Sequence, residues 1–327
     1  MEQCSEEQEI SLTASSSLPK LKRGKRKSKA KYQQQSMNIM GNNLAGIFNK
    51  LDSFKQTIQK FAPGVFFAQE TKSRRKNQVK INDYVMFEHI RKDKGGGGLL
   101  TAVHKNLHPV SVSDESDVEI LVVQGSINNK KVRFINGYGP QEKEIDENRM
   151  KFFNKLDFEV KRSHVAGDMI CIQMDANSKL GADNVPGDPD EQSKNGKVLE
   201  KVIIDNDLIV ANGTKLCSGI ITRYRKTKQR EEKSVIDFFI VCQRFFNLIK
   251  SMLIDEKRIY TITKYNDKNG NKNVKQSDHN LMMLNIDSNW RTSIDEKKER
   301  IEIYNYKNKE DFEQFKNETE NNPELRD

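Results

Sequence analysis

Polar side chains stand at the ends of several apolar runs in this sequence. Glu70 ends VFFAQE, Tyr138 ends VRFINGY, and Asp175 ends MICIQMD, with Asn177 two residues further on. A strand end is a place where a rigid scaffold presents side chains to a shared cleft. Carboxylate oxygens are the ligands that a hard divalent cation prefers. These strand ends are therefore candidates for a metal-binding, catalytic cleft, although each carboxylate alone is also typical of a solvated turn or a helix cap.

An acid inside an apolar run and a histidine before another run form a second candidate set. Asp237 lies within SVIDFFIVC, where an unpaired carboxylate would be costly to bury. His279 follows Asp278 directly before the run NLMMLNI and is a natural partner for this acid. The alternative is that Asp237 lies on the polar face of an edge strand.

The elements that would position these residues are mostly strands. A helical stripe runs from Ile47 to Phe61 and is ended by Ala62-Pro63-Gly64, and further helices are predicted in ENRMKFFNKLDFEVKR and NGKVLEKVIID. Strands are predicted near VFFAQE, YVMFEHI, GLLTAVHK, VEILVVQGSI, KVRFINGYG, MICIQMD, DLIVANGT, IITRYRK, SVIDFFIVC and HNLMMLNI. This pattern predicts an α/β fold of two packed, mostly antiparallel β-sheets flanked by helices, a four-layer α/β sandwich.

The composition divides the chain into three parts. Residues 1–37 lack apolar periodicity and are predicted to be a disordered basic arm, in which eight of the twelve residues from Lys20 to Lys31 are Lys or Arg. That cluster indicates a nuclear localisation signal or a nucleic-acid contact, or else a solvated run of charge. Residues 38–290 form the predicted domain, and residues 291–327 a charged helical tail or truncated linker.

Net charge and cysteine usage narrow the classes of function. The chain carries 56 Lys and Arg against 47 Asp and Glu, a net charge of +9, which favours a polyanionic partner. The four cysteines, at positions 4, 171, 217 and 242, show no metal-ligand spacing, which argues against a zinc site and against a secreted disulfide framework. No apolar run approaches the roughly 18 to 20 residues of a membrane helix. We therefore expect a soluble, intracellular protein with no membrane partner.

Six short motifs in order resemble the endonuclease/exonuclease/phosphatase superfamily, the DNase I-like fold, from about Asn38 to Ile286. They are Asn43-Leu44-Ala45-Gly46, Gln69-Glu70-Thr71-Lys72, Tyr138-Gly139-Pro140, Asp175-Ala176-Asn177, Ser234-Val235-Ile236-Asp237 and Ser277-Asp278-His279. Within it, QETK after PGVFFA and the segment NGKVLEKVIIDNDLIVANGT are similar to the endonuclease domain of non-LTR (LINE-type) retrotransposons. The sequence departs from the family's Gly-Asp-Phe-Asn at Met174 and Ala176. No reverse transcriptase motif follows Ile286, so the resemblance implies a truncated or domesticated copy, with any reverse transcriptase supplied by another chain.

The resemblance implies a role for each candidate residue in phosphodiester hydrolysis. Glu70 would hold Mg²⁺, with Mn²⁺ as an alternative, and Asn43 and Asp278 would complete the metal site. Asp175 would position or deprotonate the attacking water, oriented by Asn177.

The same resemblance implies that His279 contacts the scissile phosphate and that Asp237 fixes its tautomer. Tyr138 would donate to a phosphate oxygen or assist the leaving group.

A basic stretch, TRYRKTKQREEKS from residue 222 to residue 234, resembles the hairpin that lies against DNA in retrotransposon endonucleases. Thr222, Arg223, Tyr224 and Arg225 are the predicted nucleic-acid contacts, and a solvated turn is the alternative. The predicted function is a Mg²⁺-dependent DNA endonuclease that nicks one strand, located in the nucleus or otherwise in the cytoplasm. Hydrolysis of another phosphoester, such as RNA or an inositol phosphate, and a catalytically idle copy that only binds nucleic acid are the competing hypotheses.

Overall fold

A computed structural model describes residues 36–91, 96–113, 117–226, 231–264 and 275–289. Most of the predicted arm, Trp290 and the predicted tail at 291–327 lie outside the described residues. The first strand begins at Ser36, two residues before the domain boundary expected from the composition. No helix in the described ranges has the length and apolar character needed to cross a bilayer.

Seventeen strands and four α-helices make up the described part of the chain. The strands are β1 (Ser36–Asn43), β2 (Val65–Gln69), β3 (Tyr84–His89), β4 (Leu99–His104), β5 (Val110–Ser111), β6 (Ile120–Ile127), β7 (Lys130–Tyr138), β8 (Met169–Asp175), β9 (Leu208–Val210), β10 (Cys217–Ser218), β11 (Arg223–Lys226), β12 (Glu231–Ser234), β13 (Asp237–Cys242), β14 (Ile249–Ile254), β15 (Thr263–Lys264), β16 (Lys275–Gln276) and β17 (Met282–Asp287). The helices are α1 (Leu51–Phe61), α2 (Asp146–Val165), α3 (Lys194–Asp205) and α4 (Gln243–Phe246), with 3₁₀ turns at Phe48–Lys50 and Lys105–Leu107.

Two large sheets are formed by these strands. The seven-stranded sheet has the order β10-β14-β17-β1-β2-β4-β3, and the six-stranded sheet has the order β5-β6-β7-β8-β13-β9. Three neighbouring pairs are parallel, β1 with β2, β10 with β14, and β7 with β8, and the other pairs in both sheets are antiparallel. Helices α1 and α2 make the crossovers that two of the parallel pairs require. The predicted pair of mostly antiparallel sheets flanked by helices is thus confirmed.

The core has two apolar layers. Between the sheets the ring of Phe67 lies 6.3 Å from that of Phe134 and 6.4 Å from that of Phe239. On the outer face of the seven-stranded sheet, α1 packs Phe54 edge-on against Phe66 with ring centroids 5.0 Å apart. Buried residues of α2 and α3 belong to the same cluster as the six-stranded sheet. The layers are therefore helix, sheet, sheet and helices.

Local chemistry accounts for the ends of α1. Ala62 adopts a left-handed conformation with φ +40°, its N–H donates to the Ile58 carbonyl, and Pro63 follows, so the helix stops where the sequence predicts. The predicted stripe is too long at its start, because Phe48 belongs to a 3₁₀ turn and is 44% exposed.

Two strand predictions need correction. The strand β14 is absent from the sequence-based prediction, because a register shift between Ile249 and Ser251 breaks the period-two pattern that identifies a strand. The run SVIDFFIVC is predicted as one strand but is divided, since Ser234 ends β12 and β13 begins at Asp237. The chain therefore leaves a two-stranded hairpin and enters the six-stranded sheet at the point where the buried acid stands.

Candidate active site

An open cavity of about 1130 Å³ collects most of the predicted site residues. Its lining includes Asn43, Glu70, Tyr138, Asp175, Asn177, Arg223, Arg225, Asp278 and His279. Three predicted residues, Thr222, Tyr224 and Asp237, are not part of this lining. Asp237 lies directly behind His279, within hydrogen-bond distance of its ring.

Strand pairing explains why residues far apart in the sequence meet here. Because β1 and β2 are parallel, their ends bring Asn43 beside Gln69, and Glu70 follows. In the other sheet, β7 and β8 are also parallel, so Tyr138 is the register partner of Asp175. The antiparallel strand β13 starts at the same edge, which places Asp237 directly opposite Asp175. The cavity is thus built from residues at or beside the ends of five strands in two sheets, together with the β11–β12 hairpin and with Asp278 and His279, which precede β17.

A buried ion pair lies at the floor of the cavity. His279 Nδ1 lies 3.0 and 2.9 Å from the two carboxylate oxygens of Asp237, and His279 Nε2 lies 3.8 Å from an oxygen of Asp175. The side chains of all three residues are 5% exposed or less. Burial lowers the pKa of His279, but the negative charges of Asp237 and Asp175 outweigh this effect and raise it to about 9. At neutral pH the ring therefore carries a positive charge that faces the cavity.

Asp175 has the properties of a proton acceptor. Burial raises its pKa to about 7, and the charge of Asp237 adds to this increase, whereas His279 and the Asn43 amide oppose it. Asn43 Nδ2 donates to one carboxylate oxygen at 2.8 Å, and the backbone N–H of Asn177 donates to the other at 3.0 Å. A carboxyl group held by two donors, with a pKa near neutrality, suits general-base chemistry.

Two residues at the rim adopt left-handed backbone conformations. Glu70 has φ +50° and Asn177 has φ +45°, which are uncommon outside glycine. The Asn177 side-chain amide donates to the Gly139 carbonyl at 2.9 Å and so joins the loops after β7 and β8. Burial, together with the charges of Asp175 and Glu70, raises the pKa of Tyr138 above its usual range, so its hydroxyl stays protonated.

The donors at the rim fit a hard divalent cation. The carboxylate of Glu70 faces the cavity, and among the described residues its ion-pair partner is Lys72 at a distance of 3.7 Å. Asn43 Oδ1 accepts one bond, from Ala45 N at 2.9 Å, and as a carbonyl oxygen it can accept a second partner.

Two further groups bear on where a cation would bind. Asp278 is 39% exposed and pairs with Arg223 at 3.2 Å, so a metal at this carboxylate would share it with a cation. Asp175, Asp237 and His279 also have ligand atoms within 4.8 Å of one another. Because Nδ1 of the histidine is already bonded to Asp237, the Glu70 side of the cavity is the better site for a cation.

The predicted contact between Thr222 and nucleic acid requires correction, because this side chain is completely buried. Its hydroxyl oxygen accepts the N–H of Ile236 at 3.0 Å and the N–H of Asp237 at 3.1 Å. These are the two buried donors at the point where the chain enters β13. Thr222 therefore supports the buried acid from inside the protein.

The basic hairpin formed by β11 and β12 is less basic than its first strand indicates. Arg225 lies opposite Glu232, and Lys226 lies opposite Glu231. The ring of Tyr224, in β11, is flanked by Lys233 and Arg258, whose charged groups lie 5.7 and 5.8 Å from the ring centroid. Cross-strand pairing of opposite charges reduces the field that the hairpin presents to an anion.

Comparison with solved structures identifies the fold of this chain. No family model matches the chain, and no curated protein matches it. Among solved structures, the endonuclease domain of TRAS1, a telomere-specific non-LTR retrotransposon, superposes with a TM-score of 0.56 and 16% identity, covering 78% of this chain and 100% of that one. The catalytic domain of APE2 from Xenopus laevis superposes with a TM-score of 0.61 and 15% identity, covering 77% and 92% of the two chains. An AP endonuclease from Archaeoglobus fulgidus gives a TM-score of 0.55 and 17% identity, covering 77% and 99%.

The chain has the DNase I-like fold. In this fold the cavity lies at one end of the strands of both sheets, where the C-terminal ends of β1, β2, β7 and β8 meet the start of β13. Each of the six sequence motifs contributes at least one residue to this cavity or to the groups directly behind it.

The sequence-based prediction does not include a group of three buried side-chain amides behind the cavity. Gln69, Asn136 and Gln173 lie fully buried behind the cavity and are bonded to one another. Each is a polar residue inside or at the end of an apolar run, in VFFAQ, VRFINGY and MICIQMD. The argument that identifies Asp237, that a buried polar group needs a partner, applies equally to these amides and could have found them.

Proposed function

We propose that the protein is a divalent-metal-dependent phosphodiesterase that nicks one strand of DNA, as an endonuclease of retrotransposon type would. The observation that carries this proposal is the arrangement at the floor of the cavity. A positively charged His279 is held by Asp237 beside Asp175, whose pKa lies near 7, while Glu70 and Asn43 supply oxygen ligands that line the cavity. Hydrolysis of a phosphodiester needs these parts: a proton acceptor, a cation for the phosphate and a metal site.

The residues that would hold the ion are Glu70 and Asn43, with Asp278 as a third ligand, and Mg²⁺ fits these hard oxygen donors better than a soft metal. When bound, the ion would neutralise charge on the scissile phosphate and favour departure of the alcohol oxygen. Mn²⁺ shares the same ligand preference and is expected to substitute.

The protein's own groups then account for attack and departure. Asp175 accepts a proton from the attacking water. The backbone N–H of Asn177 donates to the Asp175 carboxylate and so orients it. His279 donates through Nε2 to a non-bridging oxygen of the phosphate, because Nδ1 is engaged by Asp237. Tyr138 remains protonated and donates to the phosphate or to the departing oxygen. The P–O bond to the departing alcohol breaks as the P–O bond to the water oxygen forms.

DNA is the proposed substrate for three reasons. The chain carries a net charge of +9. Arg223 and Arg225 line the cavity. Two of the structural neighbours are described as a retrotransposon endonuclease domain and as a Neisseria 3′ phosphatase bound to a product DNA hairpin. A nuclear location and a reverse transcriptase partner remain predictions from the sequence.

A plasmid assay tests the proposal. Supercoiled DNA is incubated with the protein in Mg²⁺ or in EDTA, and conversion to nicked circles is measured. Glu70→Gln and His279→Ala should each lower the rate by about 10²-fold or more, because each removes a group that acts in the transition state. Asp205→Asn, an acid-to-amide change at an exposed position of α3, is the matched control and should nick at the wild-type rate.

Three outcomes would refute the proposal or change the substrate. Nicking by correctly folded Glu70→Gln and His279→Ala at wild-type rates would place the activity elsewhere. Faster hydrolysis of RNA or of an inositol phosphate than of plasmid would show that DNA is not the preferred substrate. DNA binding that weakens with salt, without metal-dependent cleavage of any of these, would favour the idle copy.

The contribution of the hairpin is tested separately by binding. Arg225→Ala should reduce the slope of log affinity against log salt by about 1 if this side chain neutralises one phosphate. Glu232→Gln, on the opposite strand, should strengthen binding because it removes a negative charge beside that arginine.

A further inference from the structure

Four uncharged polar side chains lie between the two sheets with no exposed surface. Gln69 and Thr101 come from β2 and β4 of the seven-stranded sheet, and Asn136 and Gln173 come from β7 and β8 of the six-stranded sheet. We call this group the inter-sheet network. Most of the remaining contact between the sheets is made by apolar side chains.

Hydrogen bonds within the inter-sheet network join one sheet to the other. Gln69 Nε2 donates to Asn136 Oδ1 at 2.6 Å and to Gln173 Oε1 at 2.5 Å. Asn136 Nδ2 donates to Thr101 Oγ1 at 3.1 Å and to the backbone carbonyls of Leu100 and Ala68 at 3.1 and 3.3 Å. Every one of these bonds crosses the gap between the sheets.

The network lies one step behind the cavity. Gln69 immediately precedes Glu70, Asn136 stands two residues before Tyr138, and Gln173 stands two residues before Asp175. In a strand, residues two apart share a face. The network is therefore the layer directly beneath the side chains that the proposed reaction uses.

The candidate site needs the two sheets in a fixed register. Asn43 ends β1 and Glu70 follows β2 in one sheet, whereas Asp175 belongs to the other, and Asn43 Nδ2 lies 2.8 Å from Asp175 Oδ2. Apolar packing is non-directional, so a small slide of one sheet over the other costs little contact area. Hydrogen bonds of 2.5 to 3.3 Å do not tolerate such a slide.

The network is not optimised for stability. Gln69 Oε1 and Gln173 Nε2 have no hydrogen-bond partner within the described residues, although both are buried. An unpaired buried polar atom is destabilising, and apolar side chains of similar size would avoid this cost. The backbone also makes room for the network, because a Cβ on Gly41 would lie 2.3 Å from Gln173 Cδ.

We infer that Gln69, Asn136 and Gln173 are positioning residues that hold the two sheets in register, so that Asn43 and Glu70 meet Asp175 in a productive geometry. The inference rests on the proposed function for its kinetic consequence, but its structural consequence, the bond between Asn43 and Asp175, is independent of any activity.

The test replaces both glutamines with an apolar side chain of similar length, in Gln69→Met/Gln173→Met. The melting temperature should change little, because two unpaired atoms are removed while Asn136 Oδ1 loses the donor that Gln69 supplies. The nicking kcat at a temperature well below melting should fall by about 10²-fold, with KM changed by no more than about twofold, since a displaced site loses transition-state contacts rather than substrate binding. Gln56→Met, on the exposed face of α1, is the matched control and should leave both constants unchanged.

A spectroscopic measurement decides the case without nuclease activity. In the wild type the side-chain amide protons of Asn43 should be shifted downfield by their bond to the Asp175 carboxylate. In the double variant this resonance should move toward that of an unbonded amide. An unmoved resonance in a folded double variant, with or without nicking by the wild type, would overturn the inference. If the double variant does not fold, Gln173→Met alone is measured in the same way, with the same expected and contrary results.

Discussion

The charge of His279 depends on Asp237, and the substitution Asp237→Asn tests this dependence. The two carboxylate oxygens lie 2.9 and 3.0 Å from Nδ1, in a pair that is almost fully buried. Asparagine keeps one acceptor for the ring but removes the negative charge, while burial continues to lower the pKa. We therefore expect the pKa of His279 to fall from about 9 by about 2 units. At about 1.4 kcal/mol per unit, this corresponds to a loss of about 3 kcal/mol of stabilisation of the charged ring.

Nuclear magnetic resonance of ring-labelled histidine measures this pKa directly. The chain has five histidines, so a His279→Gln spectrum identifies the signal. At pH 8 the wild-type ring should be charged and the variant ring neutral, and nicking by the variant should be about 10²-fold slower. Lowering the pH to 7 should recover part of the rate in the variant, because its ring regains a proton while Asp175, with a pKa of about 7, is still partly ionised. A pKa that stays near 9 in Asp237→Asn, with Asp205→Asn as the matched control, would refute this account of the pair.

Three further predictions concern stability. Because the pKa of His279 rises from 6.5 to about 9 on folding, its contribution to the free energy of unfolding is fully present below pH 6.5 and is lost as the pH rises through 9; urea titrations at several pH values check this, and a contribution that grows with pH would contradict it. Gly41→Ala should lower the free energy of unfolding by about 1 to 3 kcal/mol, because its Cβ would overlap the inter-sheet network. Gly96→Ala should change it little, because a Cβ there would have no atom of the described residues within 4 Å. Thr222→Val should lower the free energy of unfolding by about 1 to 3 kcal/mol, because it leaves the buried N–H groups of Ile236 and Asp237 unsatisfied, and Thr222→Ser should restore it; equal stability of the two variants in urea would argue against a role for the hydroxyl.

Local signals in the sequence identify most elements of the fold. Apolar runs of strand length predict β2, β7 and β8, and the Ala-Pro-Gly sequence after Phe61 predicts the end of α1. Where a local signal is broken, the prediction fails. The bulge in β14 removes its alternation, and the divided run around Asp237 looks continuous because apolar residues on both sides of the strand change are buried.

The sequence by itself determined which residue types end the strands, and it determined that Asp237, inside an apolar run, needs a partner such as His279. Only the tertiary structure decided which atoms meet. Exposure and pairing depend on strand register and on packing between the sheets, which are set by contacts distant in sequence. For this reason Thr222, in a basic stretch, is buried beneath Asp237, and Arg225 and Lys226 lie opposite glutamates. For the same reason three side-chain amides between the sheets lie behind the cavity.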